Sequence, residues 1–196
     1  MSRDESDPQR LPETYVTKTT AEIAGQDEPF AIALVRALLE TAVERPATSA
    51  QSRRAASLLS YVPTTGLELR AERTIQRDSL WAILWNVYAR ERIDWLFIDD
   101  SFALAVEVKT RSTTGFGDRQ LARYHKAIKA LRPRHVGLLA LTTVRPFDYE
   151  LLARRKRFFV GSILWADAEA RLRQLMPSDP QAAARWRAIL DGVVVP

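Results

Sequence analysis

The spacing of apolar residues changes along the chain, and the changes predict an order of helices and strands. From Glu28 to Glu44 the apolar residues recur at helical spacing, and Pro46 predicts the end of that helix. A second helix is predicted over Ser52–Val62. Residues 1–27 show little periodicity, which predicts a loosely ordered N-terminal arm.

Three strands are predicted in the middle of the chain. Leu67–Gln76 alternates between apolar and polar residues after a Pro-Thr-Thr-Gly turn, as a half-buried strand does. Arg92–Ile98 and Phe102–Lys109 are rich in β-branched and aromatic residues, and the Asp-Asp-Ser turn between them predicts a hairpin. The apolar segment Ser79–Ala89 fits either a helix or a buried strand.

The second half of the chain predicts a helix, two strands and two further helices. These are, in order, a helix from about Arg119 to Leu131 capped by Asp118, strands His135–Thr142 and Phe158–Trp165, a helix capped by Asp167 and ending at Met176, and a helix over Gln181–Leu190. The order predicts an α/β fold, with one domain over residues 28–196.

Composition restricts the chemistry available to this chain. It has no cysteine and two histidines, so any metal must be held by oxygen ligands. An apolar fraction of 46% and a charged fraction of 27% are ordinary for a soluble globular protein. The polar N-terminus is unlike a signal peptide and no apolar run approaches a membrane span, so we expect a cytoplasmic protein without a membrane partner.

Basic charge is concentrated in one part of the sequence. Residues 109–160 carry thirteen Lys and Arg against three acidic residues, a local charge of +10, although the whole chain has only +5. This distribution is typical of a surface that binds a polyanion such as nucleic acid. An ordinary solvated helix surface is the alternative, because clustering in sequence need not mean clustering in space.

The predicted hairpin brings two carboxylates together. If it turns over residues 100–101, Asp94 lies opposite Glu107, and side chains in such a pair have Cβ atoms about 4.5–5.5 Å apart. Two carboxylates at that distance can bind a hard cation such as Mg²⁺ or Mn²⁺. Since strand side chains alternate, Lys109 shares the face of Glu107, while Val108 packs into the core and offers its carbonyl as a further ligand.

These residue types favour hydrolysis of a phosphodiester. The substrate is anionic, so a metal is needed to offset its charge and lower the pKa of the attacking water. A lysine ammonium beside the carboxylates can position that water and stabilise charge in the transition state. The alternative is that Asp94 and Glu107 only form ion pairs at the surface, with Arg92, Lys109 or Arg111 as partners. An ATPase is disfavoured, because no Gly-rich phosphate loop with Lys-Ser/Thr precedes the hairpin.

Three stretches together carry a family resemblance: RIDWLFI at 92–98, AVEVKT at 105–110 and QLARY at 120–124. Over roughly residues 67–143 the chain resembles the PD-(D/E)xK nuclease superfamily. The resemblance implies a restriction-endonuclease-like core (α-β-β-β-α-β), with a mixed sheet flanked by helices and extra terminal helices. It also implies a metal-dependent deoxyribonuclease that serves in restriction, repair, recombination or defence against mobile DNA.

The resemblance assigns roles to particular residues. The family's metal-binding acids fall at Asp94 and Glu107, and its lysine falls at Lys109. The proline that gives the family its name is Ile93 here, a change that the family often tolerates.

An upstream acid is expected in many members of the family. Glu72 on the first predicted strand is the best candidate for an extra ligand or water-orienting base, followed by Glu68 and Glu44. The alternative is that Glu72 pairs with Arg70 or Arg73.

A Gln-x-x-x-Tyr motif follows the hairpin in many members and is matched by Gln120 and Tyr124. Their i, i+4 spacing places both on one helix face, where they could reach a phosphate or order the lysine, or simply pack on the sheet edge. Arg119, Arg123 and Lys126 lie near that face and could contact the backbone of a DNA duplex.

Two other functions remain open. One is a catalytically inactive nuclease-like module that uses the same basic surface to bind nucleic acid. The other is an interaction subunit, in which the Trp-rich segment Ser79–Tyr88 contacts a partner protein or a second copy. Homodimerisation or a partner would also let a small nuclease cut both strands of a duplex.

Overall fold

The computed structural model describes residues 13–74, 92–110, 133–143 and 158–176, together with Trp186. Two of the predicted segments lie outside these ranges, namely the ambiguous segment 79–89 and the helix over 119–131. The predicted helix over 181–190 also lies outside them except at Trp186, which is helical.

The described elements run from helices to strands and back to a helix. In chain order they are α1 (Glu13–Gln26), α2 (Glu28–Glu44), α3 (Ser49–Leu59), β1 (Glu68–Thr74), β2 (Arg92–Ile98), β3 (Phe102–Val108), β4 (His135–Thr142), β5 (Phe159–Leu164) and α4 (Trp165–Leu175). The strands form one sheet in the order β1-β2-β3-β4-β5. The β1–β2 and β2–β3 pairs are antiparallel and the β3–β4 and β4–β5 pairs are parallel. The predicted α/β class with a mixed sheet is therefore confirmed.

The bounds of the described strands lie within two residues of those predicted, whereas both ends of α3 differ by three residues. The bounds of α2, β2 and β4 are those predicted, but α3 begins three residues before the predicted Ser52. A capping box sets this start: the Thr48 hydroxyl accepts from the Gln51 N–H at 3.3 Å, and Gln51 Oε1 accepts from the Thr48 N–H at 3.1 Å.

The expectation of a loosely ordered arm over residues 1–27 is wrong for residues 13–26, which form α1. The buried face of this helix includes two threonines, Thr17 and Thr20, beside apolar Val16 and Ile23. The Thr20 hydroxyl donates to the Val16 carbonyl at 2.8 Å, which satisfies it inside the core. Threonine counts as a polar residue in a hydrophobic pattern. The sequence of α1 therefore does not show the spacing of an amphipathic helix.

The start of α4 also differs from the prediction that Asp167 caps this helix. The helix begins at Trp165, and the residue at its N-cap is Leu164, which makes no side-chain cap hydrogen bond. Asp167 lies in the first turn and forms an ion pair with Arg45 at 2.6 Å. The helix begins directly at the end of β5, and its first residue, Trp165, is buried.

The sheet has a different apolar cluster on each face. The larger cluster includes Phe97 and Leu104 of the sheet together with the buried residues of all four described helices. The smaller cluster, which includes Leu96, Ala103 and Ala105, lies on the opposite face because strand side chains alternate. None of the described helices is long and apolar enough to cross a membrane.

Three of the five tryptophans meet on the helix-covered face. Trp95 of β2, Trp165 of α4 and Trp186 have ring centroids 5.8–5.9 Å apart in each pair, and Phe30 of α2 packs against Trp186 at 6.0 Å. Each aromatic pair contributes roughly 0.5–1.5 kcal/mol beyond its buried area. The Trp95 indole N–H also donates to the Thr17 carbonyl at 3.2 Å, so the cluster holds α1 on the sheet.

The packing of α3 on β4 generates a stability prediction. A Cβ at Gly137 would clash with the Leu58 side chain and would lie 3.2 Å from Leu104 Cδ1, whereas a Cβ at Gly25 of α1 would meet nothing within 4 Å. Gly137→Ala should therefore lower the free energy of unfolding by about 1–3 kcal/mol. The control Gly25→Ala should leave it unchanged or raise it by up to about 1 kcal/mol. Urea denaturation measures both, and equal effects would contradict the packing described.

Candidate active site

The β2–β3 hairpin has the register predicted for it. The pairing runs without a shift from Trp95 opposite Val106 to the turn. The pairing ends there, but continuing the same register by one pair would place Asp94 opposite Glu107, and the Asp94 side chain reaches the β3 backbone at Val108. On β3, Ala103 and Ala105 lie in the smaller apolar cluster, so Glu107 lies on that face by alternation, and Ile93, the residue before Asp94, belongs to the same cluster.

A single side chain fixes this register at the turn. The Asp99 carboxylate accepts from the backbone N–H groups of Ser101 and Phe102 at 2.7 and 2.6 Å. The Asp99 N–H donates to the Phe102 carbonyl at 3.0 Å. An aspartate that binds the backbone two and three residues later stabilises a tight turn. The connection is therefore closed over residues 100–101, as the sequence predicts.

The backbone places a third acid in the same row. Ala71 of β1 lies opposite Trp95, so the next residue, Glu72, lies opposite Asp94. Adjacent strands are about 4.8 Å apart, so the row Glu72, Asp94, Glu107 spans about 10 Å across three strands. The described part of Glu72 is its backbone, and this register is what places it.

The other two acids considered for the upstream position have partners elsewhere. Glu68 Oε2 accepts from two nitrogens of Arg70, Nε at 2.8 Å and Nη2 at 2.5 Å. Glu44, at the end of α2, pairs with Arg171 of α4. Among the three candidates, Glu72 is the one that the strand register aligns with Asp94.

Glu107 carries its charge inside the protein. Its side chain is 1% exposed, and its Oε1 lies 2.5 Å from the ammonium nitrogen of Lys109, whose side chain is 13% exposed. The pair with Lys109 is one that the ion-pair alternative named, but it is buried and is not part of a surface lattice. Removing one partner of a buried ion pair costs about 3–5 kcal/mol, so these two charges depend on each other.

Asp94 is partly buried and joins the two strands through its side chain. Its Oδ2 accepts from the backbone N–H of Val108 at 2.9 Å. The Val108 side chain is fully buried in the larger cluster, as predicted. Asp94 therefore holds the end of β3 beside Glu107, with a side chain that is more accessible than that of Glu107.

The backbone of Lys109 is fixed on both sides. Its N–H donates to the Leu141 carbonyl at 2.8 Å, and its carbonyl accepts from the Trp165 indole N–H at 3.1 Å. Lys109 lies one residue beyond the end of β3, where β4 holds its N–H and the Trp165 indole holds its carbonyl. The aromatic cluster therefore positions the residue whose ammonium contacts Glu107.

Ser162 is a residue that sequence reasoning missed. The row of the acids continues from Glu107 to Ala140 of β4 and then to Ser162 of β5. A register shift in β5 at Gly161, whose φ is +157°, brings Ser162 into this row. The Ser162 hydroxyl oxygen is buried and has no hydrogen-bond partner among the described residues. No local motif marks this serine, because it joins the site only through strand pairing.

The residues predicted to contact nucleic acid lie outside the described ranges. They are Arg119, Gln120, Arg123, Tyr124 and Lys126. Among the described side chains, no group of three or more His, Cys, Asp or Glu is arranged to hold a metal. Of the predicted carboxylate ligands, the side chains of Asp94 and Glu107 are described and that of Glu72 is not.

Comparisons with protein-family models, curated proteins and solved structures returned no match. The family resemblance therefore depends on the motif residues and their spacing. The features that bear on function are the carboxylates of Asp94 and Glu107, the ammonium of Lys109 and their surroundings.

The hydrogen bond between Asp94 and Val108 yields a prediction about stability. It distinguishes the effect of the Asp94 charge from the effect of the hydrogen bond. Asp94→Asn keeps a side-chain oxygen that can accept from the Val108 N–H, whereas Asp94→Ala leaves that N–H without it. We expect Asp94→Ala to lower the free energy of unfolding by about 1–3 kcal/mol and Asp94→Asn to lower it by less. Chemical denaturation measures both. Equal losses would mean that the charge, rather than the hydrogen bond, stabilises the strand pair.

Proposed function

We propose that this chain is a nuclease that uses Mg²⁺ or Mn²⁺ to hydrolyse phosphodiester bonds in DNA. The observation that carries the proposal is the row of Glu72, Asp94 and Glu107 on three adjacent strands, with Lys109 paired to the innermost acid. The order of the described elements supports it as well. Three antiparallel strands followed by a parallel one agree with the restriction-endonuclease-like core that the resemblance implies.

The donors in this row suit a hard divalent cation. Carboxylate oxygens are the ligands that Mg²⁺ and Mn²⁺ prefer, and one or two carboxylates with water commonly hold Mg²⁺. Asp94 and Glu107 would supply them, with the Val108 carbonyl and Glu72 as further oxygen donors. Bound there, the metal would supply positive charge at the scissile phosphate and lower the pKa of the attacking water.

Lys109 acts on the reaction through a fixed position. Its ammonium lies 2.5 Å from Glu107 Oε1, and its backbone is held by Leu141 and Trp165. From there it orients the attacking water and stabilises negative charge on the phosphate in the transition state. The same contact means that Lys109 and the cation share Glu107. Without a cation, the ammonium offsets the negative charge of the buried carboxylate. A bound cation would take over that role.

The positive charge of one part of the chain is the basis for proposing DNA as the substrate. Residues 109–160 carry +10, and a surface of that charge attracts a phosphate backbone without reading its sequence. Arg119, Arg123 and Lys126 would contact that backbone, and Gln120 and Tyr124 would contact a phosphate near the lysine. A homodimer or a partner protein would bring a second site to the other strand of a duplex.

Cleavage assays test the proposal directly. Linear, circular and single-stranded DNA should be cut with Mg²⁺ or Mn²⁺ and left intact with a chelator. Glu107→Gln and Lys109→Ala should each lower the rate by about 100-fold or more, because each removes a group that acts on charge in the transition state. The matched control is Glu40→Gln on α2, an acid at 23% exposure that is paired with Arg171 away from the site.

The control should cut at the wild-type rate. DNA binding without cleavage, unaffected by Lys109→Ala and lost on charge reversal at Arg119 or Arg123, would instead identify a catalytically inactive nucleic-acid-binding module. Binding that does not weaken with salt would indicate an apolar protein interface instead.

Metal binding can be tested without any substrate. Mg²⁺ or Mn²⁺ should raise the melting temperature of the wild-type protein, because a ligand that binds the folded state stabilises it. Lys109→Met should melt at a lower temperature without metal and gain more from metal than the wild type, since the cation then replaces the missing ammonium at Glu107. Asp94→Asn should gain less. Equal gains in all three proteins, measured by calorimetry, would exclude this metal site.

A further inference from the structure

A cavity of about 480 Å³ opens at the other end of the sheet from the acids. It lies between α3 and the amino ends of β4 and β5. Five residues separate the Phe102–His135 pair at this end of the sheet from the Glu107–Ala140 pair in the acid row. At about 3.3 Å per residue, the cavity is about 16 Å from the acids. It is therefore a separate site from the one proposed above.

Three arginines line the cavity: Arg53 and Arg54 from α3 and Arg134 from the residue before β4. Arg53 and Arg134 are exposed, whereas Arg54 is partly buried and donates through Nη1 to the Phe159 carbonyl at 3.1 Å. None of the described lining residues is acidic. A guanidinium presents several N–H groups in a plane that matches the oxygens of a phosphate. The described lining of the cavity is therefore basic, and its guanidinium groups are donors of the kind that phosphate accepts from.

A flat aromatic surface lies beside the arginines. The rings of Tyr61 and His135 stack with centroids 3.4 Å apart and an angle of 9° between their planes. Tyr61 is 47% exposed, so its ring is both held by the histidine and open to a ligand. Base stacking on an exposed aromatic ring contributes about 1–3 kcal/mol per base. The cavity thus combines phosphate recognition with a platform for a nucleobase.

The size of the cavity and its apolar floor agree with a ligand of this kind. Small-molecule pockets have volumes of about 300–1,000 Å³ and are lined by apolar surface with a few polar groups. Leu58 and Val160 supply apolar surface at the base of this cavity. An inorganic anion would leave the stacked rings and most of this volume without a contact, whereas a nucleotide would use both.

We propose that this cavity binds a phosphorylated nucleoside, with its phosphate on Arg53, Arg54 and Arg134 and its base on the ring of Tyr61. Two kinds of molecule present such a group: a free mononucleotide and the 5′-phosphorylated end of a nucleic-acid strand. Binding here does not depend on hydrolysis at the acid row.

Isothermal titration calorimetry of the full chain in chelator tests the proposal, because chelator prevents metal-dependent cleavage of the probes. The probes are adenosine 5′-monophosphate, adenosine, inorganic phosphate and a 5′-phosphorylated dinucleotide. The nucleotide should bind at least about tenfold more tightly than adenosine or phosphate, because each of these probes lacks one of the two contacts. Tighter binding of the mononucleotide identifies a free nucleotide as the source, and tighter binding of the dinucleotide identifies a strand end.

Variants assign the binding to this cavity. Arg53→Gln with Arg134→Gln should weaken nucleotide binding at least about tenfold, since two of the three charged donors are lost. Tyr61→Leu should weaken it by about tenfold and Tyr61→Phe should restore it. The matched control is Arg173→Gln, an exposed arginine of α4 that pairs with Glu169 and does not line the cavity. The residues changed are exposed, and a melting curve verifies that each variant folds.

Three results would overturn the proposal. They are no binding of either phosphorylated probe, equal affinity for phosphate and nucleotide with no effect of Tyr61→Leu, and unchanged binding in the double arginine variant. Because no probe is hydrolysed, each result is independent of whether the acid row is a nuclease site.

Discussion

The hydrogen bonds that the Asp99 carboxylate accepts from the backbone N–H groups of Ser101 and Phe102 fix the turn on which the hairpin depends. They close the turn and thereby set the register of β2 against β3. A slip by one residue would move each side chain of a strand to the other face. Trp95 would then leave the aromatic cluster, and Asp94 would enter the apolar core. The position of Asp94 opposite Glu107 and the packing of the helices on the opposite face are consequences of the same register.

The buried pair of Glu107 and Lys109 is costly for a fold to maintain. A packed apolar pair in the same place is often neutral or more stable, so ionic groups at such a position call for a further reason. The surrounding structure holds the pair firmly, because β4 and the indole of Trp165 fix the backbone of Lys109. A charge that is buried, paired and rigidly positioned suits catalysis, which depends on groups that are oriented before the substrate arrives. These features distinguish the pair from a surface lattice of ion pairs, and the proposed catalytic role depends on them.

The acid row and the arginine-lined cavity have opposite charge and lie at opposite ends of the central strands. The acids lie toward the carboxyl ends of β3 and β4, whereas Arg53, Arg54 and Arg134 surround a cavity at the amino ends of β4 and β5. The acid row would hold a cation and act on a phosphate, and the arginine cavity would hold a phosphate and a base. The two chemistries concern the same class of molecule. Their separation by about 16 Å along the strands means that one ligand could occupy the cavity while another is processed.

The sequence by itself determined the α/β class, the strands of the hairpin and the opposition of Asp94 and Glu107, because these depend on side-chain alternation and on one short turn. It did not reveal α1, whose buried threonines read as polar until the Thr20 hydroxyl is seen bonded to the Val16 carbonyl. The tertiary structure alone decided which residues distant in sequence come together: Glu72 beside Asp94, Ser162 in the same row, Trp165 on the Lys109 carbonyl, and Arg53 across from Arg134. These contacts arise from strand order and helix packing, which act over many residues and leave no local pattern in the chain.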